Sequence, residues 1–173
     1  DLLDSAEDME GVEMFFKAQR TVFDDAKKRL ASILKERYYF AADADTLNVI
    51  STMSTILAMP KPYSRIGELP ELVHKVKTAY DGLLDMKREE VAENIRQCMQ
   101  DVHQLASESR DAGTLLHQAD DHFVNKREAA KTATSLTELD AMITQLLNYK
   151  DTICRRMEVM SASRQQEAQK PAP

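Results

Sequence analysis

The sequence predicts an all-α protein, and three observations carry that prediction. Ala, Leu, Met, Glu, Lys, Arg and Gln dominate its 173 residues, and all are good helix formers. Only four glycines occur (Gly11, Gly67, Gly82, Gly113), and three of the five prolines fall between Pro60 and Pro70. Long uninterrupted elements are therefore expected between these breakers. Apolar residues return every three or four positions, with no sustained period-two run of β-branched residues. The predicted architecture is a helical bundle with a long antiparallel, coiled-coil-like hairpin. Residues 1–69 form an N-terminal helical pair and Pro-rich connector, residues 70–161 the hairpin, and residues 162–173 a disordered tail.

The first helix is expected to start after Asp4 or Ser5, either of which can cap it, and to run to about Phe40. Its apolar stripe is Val12, Phe16, Gln19, Phe23, Ala26, Leu30 and Ile33, widened by Phe15, Val22 and Leu34. Gly11 is a plausible early break. Asp45 is the expected cap of a second helix carrying Leu47, Ile50, Met53, Ile56 and Leu57. That helix should end near Met59, because Pro60 disfavours helical geometry before it. In the irregular segment 60–69, Tyr63, Ile66 and Leu69 are expected to face the core.

Pro70 suits the first position of a third helix, where its missing N–H costs little. Val73, Val76, Tyr80 and Leu83 keep heptad spacing, Lys87 interrupts, and Val91, Ile95, Cys98, Val102 and Leu105 resume it. Three steps of four between Leu83 and Ile95 make a stutter, which locally unwinds a left-handed supercoil. At about 1.5 Å per residue this helix would reach roughly 60 Å. Asp111-Ala-Gly113 is the expected reversal, although a helix can also run through Gly113. A fourth helix bears Leu116, Ala119, Phe123, Ala130 and Ala133. Ser135-Leu-Thr-Glu138 has the form of a capping box and starts a fifth helix at Leu136. Its heptad series is Leu136, Leu139, Ile143, Leu146, Ile153, Met157 and Met160, with Lys150 in the one gap. The third helix is expected to pack antiparallel to the fourth and fifth, with parallel self-association through the fifth as the rival packing.

Composition narrows the function. The net charge is −6, and six acids precede the first base, Lys17. Lys27, Lys28 and Arg29, or Arg155 and Arg156, sit among acids, so no basic stripe for nucleic acid is apparent. Cys98 and Cys154 share no metal or redox spacing and are expected to be reduced, buried thiols. No run approaches about 18 apolar residues, so no membrane span is predicted and a cytoplasmic location is expected. Without an initiator Met, the chain is expected to be part of something longer.

No catalytic, cofactor-binding or metal residue emerges. No glycine precedes Lys in a phosphate-binding loop, and H-E-x-x-H is missing. Glu71-Leu-Val-His74 fits the E-x-x-H half of a di-iron site once. Gln100, Thr114 and Ala119 stand where His103, His117 and His122 would need a carboxylate. His117 and Asp121, beside Asp120 and His122, form either a metal clip or a hydrated helix face, and the hydrated face is the ordinary outcome. The methionines, Met53, Met59, Met157 and Met160 among them, suit core packing more than a pliable groove. Tyr38 and Tyr39, next to Phe40, are equally compatible with an exposed aromatic anchor or with closing the first helix.

Three segments carry a family resemblance. They are Phe15-Phe16-Lys-Ala-Gln19-Arg-Thr-Val22-Phe23-Asp24, Met59-Pro60-Lys-Pro62-Tyr63-Ser-Arg-Ile66-Gly-Glu68-Leu69-Pro70-Glu-Leu72, and Ser135-Leu136-Thr-Glu138-Leu139-Asp140. In this order, across residues 7–147, the chain resembles the helical C-terminal part of the BrxC/PglY family, large P-loop ATPases of BREX (bacteriophage exclusion) defence systems. The resemblance implies an ATPase module, with its ATP and Mg, N-terminal to this region, so the nucleotide motif has no position here. It implies a non-catalytic helical scaffold that meets other BREX proteins or itself. A coiled-coil adaptor or oligomerisation domain of an unrelated assembly is the alternative, and a metal-dependent helical-bundle enzyme the third.

Overall fold

Residues 2–169 are described by a computed structural model, except the side chains of residues 2–8, Tyr63, Arg164, Gln165 and Glu167. They form α1 (Leu2–Leu34), α2 (Ala44–Leu57), α3 (Leu69–Ser107), α4 (Gly113–Thr132) and α5 (Leu136–Gln169), with short 3-10 turns at 37–40, 62–64 and 66–68. There is no strand among the described residues. The all-α helical bundle read from periodicity is what the chain forms. Two compact units divide it at Leu83/Leu84, inside α3.

The first unit is built where the second half of α1 meets α2 and the first four turns of α3. Ala26, Leu30 and Ile33 of α1, Phe40, Ile50 and Met53 of α2's neighbourhood, and Leu69 and Val76 of α3 are buried in one cluster. The start of α3 closes this core, so Leu69 and Val76 belong to the unit that ends at Leu83. α1 is helical from Leu2, ahead of the expected caps Asp4 and Ser5, whose side chains lie outside the described residues.

At its other end α1 stops at Leu34 instead of reaching Phe40. Glu36 leaves helical geometry (φ −117°, ψ 20°), and its buried carboxylate accepts the Tyr80 hydroxyl at 2.6 Å. The 3-10 turn that follows brings Phe40 into the core, 6.3 Å from the Tyr80 ring. Asp43, not Asp45, caps α2. Its carboxylate accepts the Thr46 N–H at 3.0 Å and the Thr46 hydroxyl at 2.5 Å. These bonds, the hydroxyl first, hold the Asp43 carboxyl below the usual value. Ile66 and Leu69 are buried as expected, while the placement expected for Tyr63 lies outside the described residues.

The second unit is a three-helix bundle running up, down and up. α3 ends at Ser107, residues 108–112 turn, and α4 starts at Gly113, so a reversal replaces a continuous helix. Met99 to Arg127 (3.5 Å) and His103 to Asp120 (2.7 Å) pair α3 antiparallel with α4. Lys126 to Gln145 (3.1 Å) and His122 to Tyr149 (ring centroids 3.6 Å apart) pair α4 antiparallel with α5. The expectation that α5 opposes α3 is therefore corrected. Lys87 to Asp140 (2.8 Å), Asp101 to Lys150 (3.4 Å) and Ser109 to Ser161 (3.1 Å) rise together along both helices, which makes α3 and α5 parallel.

The cause is Ala133. Its extended backbone (φ −64°, ψ 134°) ends α4, and Ser135 accepts the Glu138 N–H at 3.4 Å to start α5 in the opposite direction. The Arg88 guanidinium donates to the Ala133 carbonyl at 2.7 Å and holds the reversal. Lys87 and Lys150, which interrupt the heptad series, are the cations of two α3–α5 ion pairs. α5 also continues to Gln169, beyond the expected tail start at Ala162, because 161–169 are mostly helix formers without a breaker. Residues 170–173 lie outside the described residues.

Candidate interaction surface

An amphipathic helix is held by burying its apolar stripe, and α1 does so over only part of its length. Ala26, Leu30 and Ile33 are closed into the first core, Val22 and Phe23 are half-buried, and Gln19 marks the transition. Further back the stripe is uncovered. Val12 is 54 % exposed and Phe16 53 %, with Met9, Met14 and Phe15 more exposed still. The Phe15 and Phe16 rings meet edge to face at 6.0 Å. Met9, Val12, Phe15 and Phe16 fall on one side of the helix and leave an exposed apolar strip, whereas Met14 lies on the opposite side.

Where the stripe passes from exposed to buried, a cavity of about 280 Å³ opens between Phe16, Gln19, Arg20 and Phe23 of α1 and Pro62 and Ile66. The flanks of α1 are polarised. Residues 2–16 carry five acids and no base, whereas residues 17–34 carry five bases against two acids. A separate cavity of about 470 Å³ in the second unit is lined by Leu115, Thr152, Arg155, Arg156, Val159 and Met160.

The residues singled out for chemistry are dispersed. Glu71 reaches Lys75 at 3.4 Å, and His74 beside it is exposed. His103 Nε2 lies 2.7 Å from Asp120 across α3 and α4. His117 and Asp121 approach to 3.6 Å, both well exposed. His122 turns away and stacks on Tyr149 at 3.6 Å, with Phe123 edge-on to both rings. Thus His117 and Asp121 stay together on the exposed face of α4, while Asp120 turns to His103 and His122 to Tyr149. Among the described residues no three His, Cys, Asp or Glu side chains could hold a metal ion together.

Burial, then Lys126, pushes the His122 imidazole below its ordinary value, and its enclosed Nε2 meets no hydrogen-bond partner. Burial likewise pushes both thiols up; Cys98 is in the core and Cys154 half-buried. Met53 and Met157 are core residues, while Met59 and Met160 are half-buried, Met160 at the second cavity. Tyr38 is 61 % exposed and its ring is tilted against that of Tyr39 at 4.1 Å, while Phe40 beside them is in the core.

Most of the α5 heptad series is buried inside the bundle, with Ile143 and Met160 half-buried. Leu136, Leu139, Leu146, Ile153 and Met157 are all buried, so Leu146→Asp would destabilise the second unit. Uncovered α1 was harder to foresee, because periodicity marks an apolar face without saying how many neighbours cover it. The run Met14-Phe15-Phe16, wider than a two-position seam needs, was the available signal. No helix among the described residues is long and apolar enough to cross a membrane. No family model matches the chain, and no solved structure matches it.

Proposed function

We propose that this chain is a non-catalytic helical scaffold that docks partner proteins through the uncovered face of α1. We further propose that it is the C-terminal helical region of a BREX defence ATPase. The observation that carries the docking role is the exposed apolar strip of Met9, Val12, Phe15 and Phe16 along one side of a regular helix. Each such side chain gains about 1.5–3 kcal/mol on full burial, so the face favours a covering protein. The BREX assignment draws on the three segments resembling BrxC/PglY proteins, two of which, 15–24 and 59–72, supply the cavity-lining residues Phe16, Phe23, Pro62 and Ile66. ATP and Mg chemistry would then belong to a P-loop module elsewhere in the parent protein.

The test is capture of purified companion proteins of a BREX system by the tagged chain. Wild type is expected to retain at least one of them, and Phe16→Asp to lose it while keeping its helical circular dichroism. Equal capture by both would remove the docking role of α1. Failure to capture any companion would favour the second reading, an oligomerisation or adaptor domain of an unrelated assembly. That reading draws on the same stripe, whose three-four spacing is that of a coiled-coil seam.

A further inference from the structure

We propose that the uncovered face of α1 is occupied by α1 of a second copy, antiparallel, about a two-fold axis at Phe16. This rests on the reading of α1 as a docking face and names its occupant. Met9, Val12, Phe16, Gln19 and Phe23 follow steps of three, four, three and four. Antiparallel pairing about Phe16 sets each Phe16 against its own copy, Val12 against the second copy's Gln19, and Met9 against the second copy's Phe23. The last contact falls beside the 280 Å³ cavity of Arg20, Phe23, Pro62 and Ile66. A methionine is well suited to fill such an irregular space.

Charge selects the direction. Glu13 and Arg20 are both exposed and occupy the same flanking heptad position, seven residues apart. In an antiparallel pair that position faces its own kind, so Glu13 meets the second copy's Arg20, twice by symmetry. The acidic first half of α1 also lies over the basic second half of its neighbour. A parallel pair would instead stack the two acidic halves. Because one patch serves both copies, the contact closes at two chains. It is a small interface, and a dissociation constant on the order of micromolar is expected.

Sedimentation equilibrium of the 173-residue chain over about a hundredfold concentration range tests this. The mass should climb from 19.6 kDa toward twice that value. Glu13→Arg and Arg20→Glu should each weaken association by about tenfold, since two pairs are lost and two repulsions appear. An equimolar mixture of the two variants should recover it, because every flanking pair is then of opposite sign. Both side chains are exposed, so unchanged circular dichroism is expected alongside. A chain that stays monomeric overturns the dimer; Phe16-dependent capture of companions decides the docking role separately. Tighter association of Glu13→Arg overturns the antiparallel direction. Loss of association in Arg155→Glu also overturns the proposal, because α1 would then be seated in the cavity beside Val159.

Discussion

At the scale of single residues, polar groups settle details that the apolar pattern leaves open. Glu36 is a buried carboxylate whose bond to the Tyr80 hydroxyl fixes where α1 stops. Asp43 takes the capping role by reaching the Thr46 N–H and hydroxyl. His122 offers a measurable consequence. Packed against Tyr149 and Phe123 with Nε2 enclosed, it binds a proton less readily in the folded chain than in the unfolded one. Its neutral form is compatible with the fold above the ordinary value of 6.5, so the stability is fully present there. As pH falls from 6.5 through the lowered folded value, the unfolded state takes up the proton first and stability is lost. Urea unfolding of the second unit at a series of pH values should show this decline. His122→Phe, which keeps a ring on Tyr149 and has no proton to gain, should flatten it. Equal slopes for the two proteins would mean that other groups govern the acid response.

At the scale of elements, the helices were legible wherever a local signal sets their limits. Ser135 and Glu138 announce the start of α5 at Leu136, and Pro60 stops α2 within two residues of the expected place. The end of α1 was not legible, because the bond that fixes it joins residues 44 apart. Nor was the direction of α5. Ala133-Thr134-Ser135 has no Gly or Pro, and nothing in a capping box tells which way the new helix leaves. Lys87 and Lys150 read as defects in two apolar series, yet each faces an aspartate on a parallel helix. The candidate surface was half legible: its residues stood in the α1 stripe, and only the fold could tell which of them stay uncovered. The stutter of α3 falls where its burial passes from one unit to the other: Leu83 packs on the first core and Leu84 is buried in the second unit, just after Gly82. Gly82 is exposed, its φ is not positive, and an added Cβ meets nothing within 4 Å. Gly82→Ala should therefore stabilise α3 by about 0.5–1 kcal/mol, through the lower entropy of the unfolded chain. A higher thermal midpoint checks it, and a lower one would show that this point of α3 needs to bend.

At the scale of the whole molecule, one helix belongs to two cores. Val76 is buried with α1 and α2 residues, whereas Val91, Ile95, Cys98 and Val102 are buried in the second unit. Hydrogen bonds within a helix are local, and the cost of ordering each turn is met mainly by the core on which that turn packs. Protection of α3 amides against exchange should therefore follow two cores rather than one helix. Ile50 is 1 % exposed in the first core, and Ile50→Ala should cost about 2–5 kcal/mol there by removing packed methyl groups. Hydrogen exchange followed by mass spectrometry resolves where that loss is felt. Protection is expected to drop in peptides from α2 and from residues 69–83, while peptides covering 91–102 and 136–157 keep theirs. An equal loss in all four regions would show that α3 transmits the damage from end to end and that the chain opens as a single cooperative unit.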